Sequence, residues 1–100
     1  MRYRAVFLGD RAKSYLHQEI GQNPLVSEIR GLGLMLGIEF IKPGLAARLM
    51  DSLRDSGIVI LPSGPDGRVL SLTPALNIDE DEWMEALKII TEMINNLKDT

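Results

Sequence analysis

Few groups in this sequence are able to do chemistry. It holds one histidine, His17, no cysteine, and four lysines: Lys13, Lys42, Lys88 and Lys98. His17 has no second imidazole or thiolate near it, and Glu19 is its only carboxylate at short spacing. That pattern fits a surface or half-packed side chain better than a metal ligand or a catalytic base. A lysine becomes nucleophilic at neutral pH when it is desolvated or charge-perturbed. Lys13, Lys88 and Lys98 fall on polar helix faces or at the chain end, and Lys42 enters a Lys-Pro-Gly turn, so none stands out. No serine has a base at catalytic spacing. The run Asp79-Glu80-Asp81-Glu82 has the charge for a cation site. Consecutive residues point around a helix rather than converging, so it reads as the acidic first turn of a helix. Pro62-Ser63-Gly64-Pro65-Asp66-Gly67 is glycine-rich like a phosphate loop. It lacks the Gly-Lys-Ser/Thr ending and the helix that such a loop requires. No catalytic, cofactor-binding or metal-binding residue is therefore assigned.

The elements that would position any site are clearer. Leu34, Leu36, Ile38 and Phe40 alternate with Met35, Gly37, Glu39 and Ile41, the period-2 signature of a strand. Both faces are largely apolar, which predicts a central strand. A tight turn at Gly31 to Gly33 and a preceding strand over Leu25 to Ile29 complete an expected hairpin. Gly37 leaves one face bare, which predicts close approach by another backbone or helix.

Residues 1–9 read as an extended arm, because Tyr3, Ala5 and Phe7 alternate with Arg2 and Arg4. Asp10 is the expected cap of a first helix whose inner face carries Ala12, Tyr15, Leu16 and Ile20, closed by Gly21 before Asn23-Pro24. Lys42-Pro43-Gly44 ends the central strand. A second helix is expected from Leu45 to Ser56, with Leu45, Ala46, Leu49, Met50 and Leu53 inward. Ile58 to Leu61 reads as a short buried strand, residues 62–67 as a turn, and Val69 to Thr73 as a strand whose pairing Pro74 ends. The last helix has Asp79 as its cap, Glu82 three residues on, and Ile78 with Trp83 placed for a hydrophobic staple. Trp83, Ala86, Leu87, Ile90, Ile94 and Leu97 form its apolar stripe, widened by Ile89 and Met93. The order helix, two strands, helix, two strands, helix predicts an α+β fold: a three- to four-stranded, mainly antiparallel sheet with helices on one face.

One hundred residues make one domain with a modest core. A net charge of −3, with acidic and basic residues interspersed, leaves no footprint for nucleic acid. No apolar run is long enough to span a membrane, and the run after Met1 is too short for a signal peptide. The lack of cysteine rules out a disulfide framework and fits a reducing, cytoplasmic setting.

Arg30-Gly31-Leu32-Gly33-Leu34-Met35-Leu36-Gly37-Ile38-Glu39-Phe40 also resembles the small-domain strand of the class III, pyridoxal-phosphate-dependent aminotransferases. That family includes the acetylornithine, ornithine and 4-aminobutyrate enzymes. Asn23 to Ile29 resembles the family's lead-in, and Val69 to Ile78 its later strand and Pro-containing turn. The resemblance spans about residues 12–97 and implies that residues 1–100 are the C-terminal small domain of such an enzyme. The Schiff-base lysine, the acidic partner of the cofactor ring and the phosphate donors would then lie on a large domain, or on a complementing chain. The intact enzyme would use pyridoxal phosphate; this chain alone would neither bind it nor transaminate. Many family members carry an Arg in the later strand that pairs with the substrate α-carboxylate, and here that position holds Ser71. Arg68 lies an odd offset away and is expected on the opposite face. Arg30 is expected in a structural ion pair. Either the amino donor has no carboxylate near this point, as with an ω-amino acid, or the site has decayed. The chain would be an excised piece, a truncated product or a natural split subunit, with a homodimer as a further association. The competing expectation is a free-standing interaction module derived from that domain, docking through the last helix or the hairpin.

Overall fold

The computed structural model describes residues 2–32, 35–52, 58–64, 66–74 and 78–97. Its elements run α1 (Arg2–Ile20), β1 (Val26–Leu32), β2 (Met35–Phe40), α2 (Leu45–Ser52), β3 (Ile58–Ser63), β4 (Val69–Pro74) and α3 (Glu80–Asn95). The four strands form one antiparallel sheet in the order β1-β2-β4-β3. The α+β order read from the sequence is the one found.

Alternation decides which face the helices cover. Leu36, Ile38 and Phe40 of β2 and Leu70 and Leu72 of β4 are all fully buried, in one cluster with Leu8, Ala12, Leu16 and Ile20 of α1 and Trp83, Leu87, Ile90 and Ile94 of α3. Leu45, Ala46 and Leu49 of α2 join the same cluster. The other face carries Met35, Gly37 and Glu39 and has no helix over it among the described residues. β2 is the inner strand that its alternation predicts, and on the helix-free face Met35 is 57% exposed.

The extended arm expected for residues 1–9 is also corrected. Residues 2–9 are the first two turns of α1, and Asp10 is an exposed residue within the helix, not its cap. Leu8, Ala12, Leu16 and Ile20 recur every four residues, a helical stripe that begins before residue 10. Leu8 is 1% exposed, and its carbonyl accepts a bond from the Trp83 indole at 3.2 Å. Further bonds hold α1 beside α3. Arg11 pairs with Glu80 at 2.6 Å, and the Asn95 amide donates to the Glu19 carbonyl at 3.0 Å. The Asn23 amide donates to Asn95 Oδ1 at 2.9 Å. These contacts join beginning to beginning and end to end, so the two helices run in the same direction.

Gly31 is not in the turn. It lies inside β1 opposite Leu36, and Leu32 pairs with Met35; Gly33 of the expected turn and Leu34 of the expected strand lie outside the described residues. Its φ is not positive, so close approach is what favours glycine there. A Cβ at Gly31 would sit 3.3 Å from Lys13 Cδ and 3.3 Å from Leu36 Cδ2. Gly37 faces no helix or backbone; a Cβ there would make an ordinary 3.4 Å contact with Val69 Cγ1.

The second helix is described to Ser52, and the expected continuation through Leu53 to Ser56 lies outside the described residues. Pro62 and Ser63, expected in the turn, belong to β3 opposite Leu70 and Val69. Proline is tolerated there because β3 is an edge strand. β4 runs one residue beyond the expected Thr73, and Pro74, opposite Ile58, is the last paired residue among those described.

The start of α3 is as expected. Asp79 is the N-cap, and its carboxylate accepts the Glu82 N–H at 2.8 Å. Ile78 and Trp83 are both buried in the core cluster. Of the wider stripe, Met93 and Leu97 are half-buried and Ile89 is 44% exposed; Thr91, outside the expected stripe, is buried as well. The hydrogen bond to the Asp79 side chain raises the Glu82 pKa above the ordinary carboxyl value; the Asp79 charge adds to this, and the Asp79 backbone N–H opposes it.

Two outcomes are expected. Trp83→Phe should cost about 1–3 kcal/mol in urea denaturation, from the lost Leu8 bond and the space left behind. Because the folded chain holds the Glu82 proton more tightly than the unfolded chain, stability from this group falls as pH rises from the ordinary carboxyl value through the raised one. Urea midpoints measured across that window should fall less steeply in Glu82→Gln.

Candidate functional site

Ser71 sits on the uncovered face of the sheet. The β2–β4 register puts it directly opposite Gly37. Because Gly37 has no side chain, a shallow cavity opens above this pair. It has a volume of about 190 Å³ and is lined by Arg30, Met35, Gly37, Ser63, Val69 and Ser71, among others. The Ser63 and Ser71 hydroxyls lie 2.9 Å apart and share a hydrogen bond across β3 and β4.

Among the described residues Arg30 is the only cation lining this cavity, and it is engaged. Its Nε donates to Glu28 at 2.9 Å, and its guanidinium also pairs with Glu39. The hydrogen bond to Glu28 is the main cause that holds the Arg30 pKa above its ordinary value, with Glu39 adding to it. The ion pair expected for Arg30 is therefore present, although it lies within β1 rather than at a turn. One guanidinium between two carboxylates leaves a local charge of −1. A ligand carboxylate would compete with Glu28 and Glu39 for the same donors.

Arg68 does not join this cavity. Its Nε pairs with Asp66 at 2.8 Å, and its Nη1 donates to the Ile41 carbonyl at 3.0 Å. It precedes β4, and neither Asp66 nor Ile41, which hold its guanidinium, lines the cavity. His17 is exposed on α1, on the far side of the sheet from Ser71. Sequence reasoning singled out Ser71 but missed Ser63, Met35, Gly37 and Val69 as its neighbours. Ser63 was hidden because it was assigned to the turn.

Pyridoxal phosphate, which the resemblance implies, does not fit the residues present. Of the described lysines, Lys13 and Lys42 are half-buried, Lys88 is exposed, and none lines the Ser71 cavity. Among the described residues no group of three or more His, Asp or Glu could hold a metal ion, and no helix is long and apolar enough to cross a membrane.

Comparison with known proteins agrees with the fold and places it. The model of the family "Aminotransferase class-III" matches residues 3–94. This chain belongs to the class III aminotransferase family. It is 39% identical over 82 residues to acetylornithine aminotransferase of Bacillus subtilis, covering 82% of this chain and 20% of that protein. It is 29% identical over 99 residues to a 4-aminobutyrate aminotransferase of Escherichia coli, covering 91% of this chain and 23% of that protein. Among solved structures it superposes on acetylornithine aminotransferase from Elizabethkingia anophelis with TM-score 0.80 at 28% identity, covering 94% of this chain and 24% of the other. An Arthrobacter phospholyase in complex with phosphoethanolamine superposes with TM-score 0.82 at 25% identity, over the same shares. The chain thus spans about a fifth to a quarter of the length of these relatives.

Arg30 and Glu28 are each more than half exposed, so their pairing is screened by water. Arg30→Met should leave the urea-unfolding midpoint nearly unchanged. A clear drop in the midpoint would show that the cluster is a structural anchor of the hairpin.

Proposed function

We propose that this chain is the C-terminal small domain of a class III aminotransferase. In that reading it supplies a substrate-side and interface surface to a pyridoxal-phosphate-binding large domain, on the same or a complementing chain. The intact enzyme would transfer an amino group from an amino acid or ω-amino acid, such as 4-aminobutyrate, to a 2-oxo acid. The observation that carries this reading is the family match over residues 3–94 in a chain about a fifth the length of its Bacillus subtilis relative. The cavity chemistry agrees with it: the Ser71 side offers hydroxyls and an occupied Arg30, and no lysine. Such a surface can shape and orient one end of a substrate. It cannot form a Schiff base or carry the proton transfers of amino-group exchange.

The local charge of −1 beside Ser71 bears on the amino donor. It disfavours a carboxylate at this point and fits a donor whose carboxylate lies elsewhere, as in an ω-amino acid. The phospholyase neighbour shares the fold, so the fold by itself does not select the reaction.

The test is a chimera in which this chain replaces the matching segment of the Bacillus subtilis enzyme. The chimera should bind pyridoxal phosphate and show a Schiff-base absorbance band. Ser71→Arg in that chimera should raise kcat/KM for α-carboxylate donors by about tenfold, the worth of one charge-assisted pair. The chain alone, titrated with the cofactor and reduced with borohydride, should show no saturable band. A band on one lysine of the chain alone would overturn the reading, as would a chimera that folds but gains nothing from Ser71→Arg.

A further inference from the structure

The space above Ser71 exists because of one residue on the neighbouring strand. Gly37 lies directly opposite Ser71, and its missing side chain is the gap that Met35 and Val69 border. The fold itself does not call for glycine there. A Cβ at Gly21 would run into the His17 carbonyl, and one at Gly31 would press on Lys13 and Leu36. Gly44, Gly64 and Gly67 have positive φ, where a side chain is strained. Gly37 has neither reason. Its φ is not positive, and a Cβ would meet one neighbour within 4 Å, Val69 Cγ1 at an ordinary 3.4 Å. Glycine inside a strand also weakens it, because it loses more freedom on folding and offers nothing to pack. A residue that costs stability, and that the backbone does not demand, marks a position kept for another purpose.

Charge and hydrogen bonding do little to select a ligand here. Arg30 is held by Glu28 and Glu39, and the Ser63 and Ser71 hydroxyls bond to each other at 2.9 Å. The apolar wall is fixed. Val69 is 9% exposed and stands between two glycines, its Cγ1 toward Gly37 and its Cγ2 toward Gly64, 3.4 and 3.2 Å from where their Cβ atoms would be. With the polar groups occupied and the wall held in place, the property left for discrimination is size.

We propose that Gly37 is a specificity-determining residue: it keeps open a slot over the β2–β4 pair for the unbranched methylene chain of an ω-amino donor. The chain lies flat on Gly37 against the Val69 methyls, and one methyl added at position 37 narrows the slot enough to displace it. The inference rests on the small-domain reading above and names the part of the donor that meets this surface. One methylene's worth of space in an apolar pocket shifts selection by about tenfold or more. The effect grows with donor length, because a short donor does not reach the slot.

The test has two arms. In the full chain by itself, Gly37→Ala should leave the urea midpoint unchanged or raise it, whereas Gly31→Ala should lower it. In the chimera, kcat/KM is measured for 3-aminopropanoate, 4-aminobutyrate, 5-aminopentanoate and 6-aminohexanoate. Gly37→Ala should lower it by about tenfold or more for the two longest donors and by less than about twofold for 3-aminopropanoate. Adding Val69→Ala removes the methyl nearest the new one and should return the longest donors to within about threefold of the parent. The Schiff-base absorbance band should be the same in all three proteins. An equal fall for every donor, no fall for any, or a midpoint lowered by Gly37→Ala overturns the proposal. So does a fall that Val69→Ala leaves unrelieved. Loss of the band in Gly37→Ala alone would assign the space to a side chain of the large domain and would also overturn it. A parent chimera without the band sinks the small-domain reading and this inference with it. A parent that has the band but turns over none of the four donors, or is indifferent to Gly37→Ala, sinks this inference alone.

Discussion

The sheet can be covered on only one side, and the rest of the structure follows from that. Leu36, Ile38 and Phe40 point one way along β2, and the paired residues of β1 and β4 repeat the pattern. Every buried large residue of α1, α2 and α3 meets that face. A one-residue slip in register would turn these side chains to water, so the pairing is strongly specified. The uncovered face keeps what the alternation leaves over: Glu28, Arg30, Met35, Gly37, Glu39, Val69 and Ser71. The Ser71 cavity is a product of the same parity that builds the core.

Much of this was legible because it is local. The cap at Asp79, the acidic first turn of α3 and the alternation of β2 are set by residues within a few positions of one another. The expected α+β order followed from these. Where reading failed, two periods competed or a distant partner decided. Tyr3, Ala5 and Phe7 alternate as in a strand, yet the four-residue steps from Leu8 to Ile20 prevail because α3 offers α1 a surface to pack on. Gly31 looked like a turn glycine, but its reason lies on α1, in Lys13. Pro62 looked like a turn residue because nothing nearby reveals that β3 is an edge. The pairing of Gly37 with Ser71 joins positions 34 apart and has no local signature.

Charge is distributed differently over the two concave surfaces, and this separates what each can hold. At the Ser71 cavity the one cation is already shared between two carboxylates, and the remaining donors are hydroxyls that satisfy each other. The groove between α1 and β1 has Lys13 on its helix wall and Glu28 on its strand wall, so its lining carries one group of each sign. The first surface is nearly self-sufficient and suits shape recognition within a larger site.

The bond from Trp83 to the Leu8 carbonyl joins residues 75 apart in sequence. A ribosome adding about 5–20 residues per second needs roughly 4–15 s to bridge that separation. During that interval the apolar stripe of α1 has been made and α3 has not. Leu8, Ala12, Leu16 and Ile20 then depend on the nascent hairpin, or on a chaperone, to keep them from other chains. The burden of protecting this sequence during its synthesis falls on its first helix, and it is lifted only when the last one emerges.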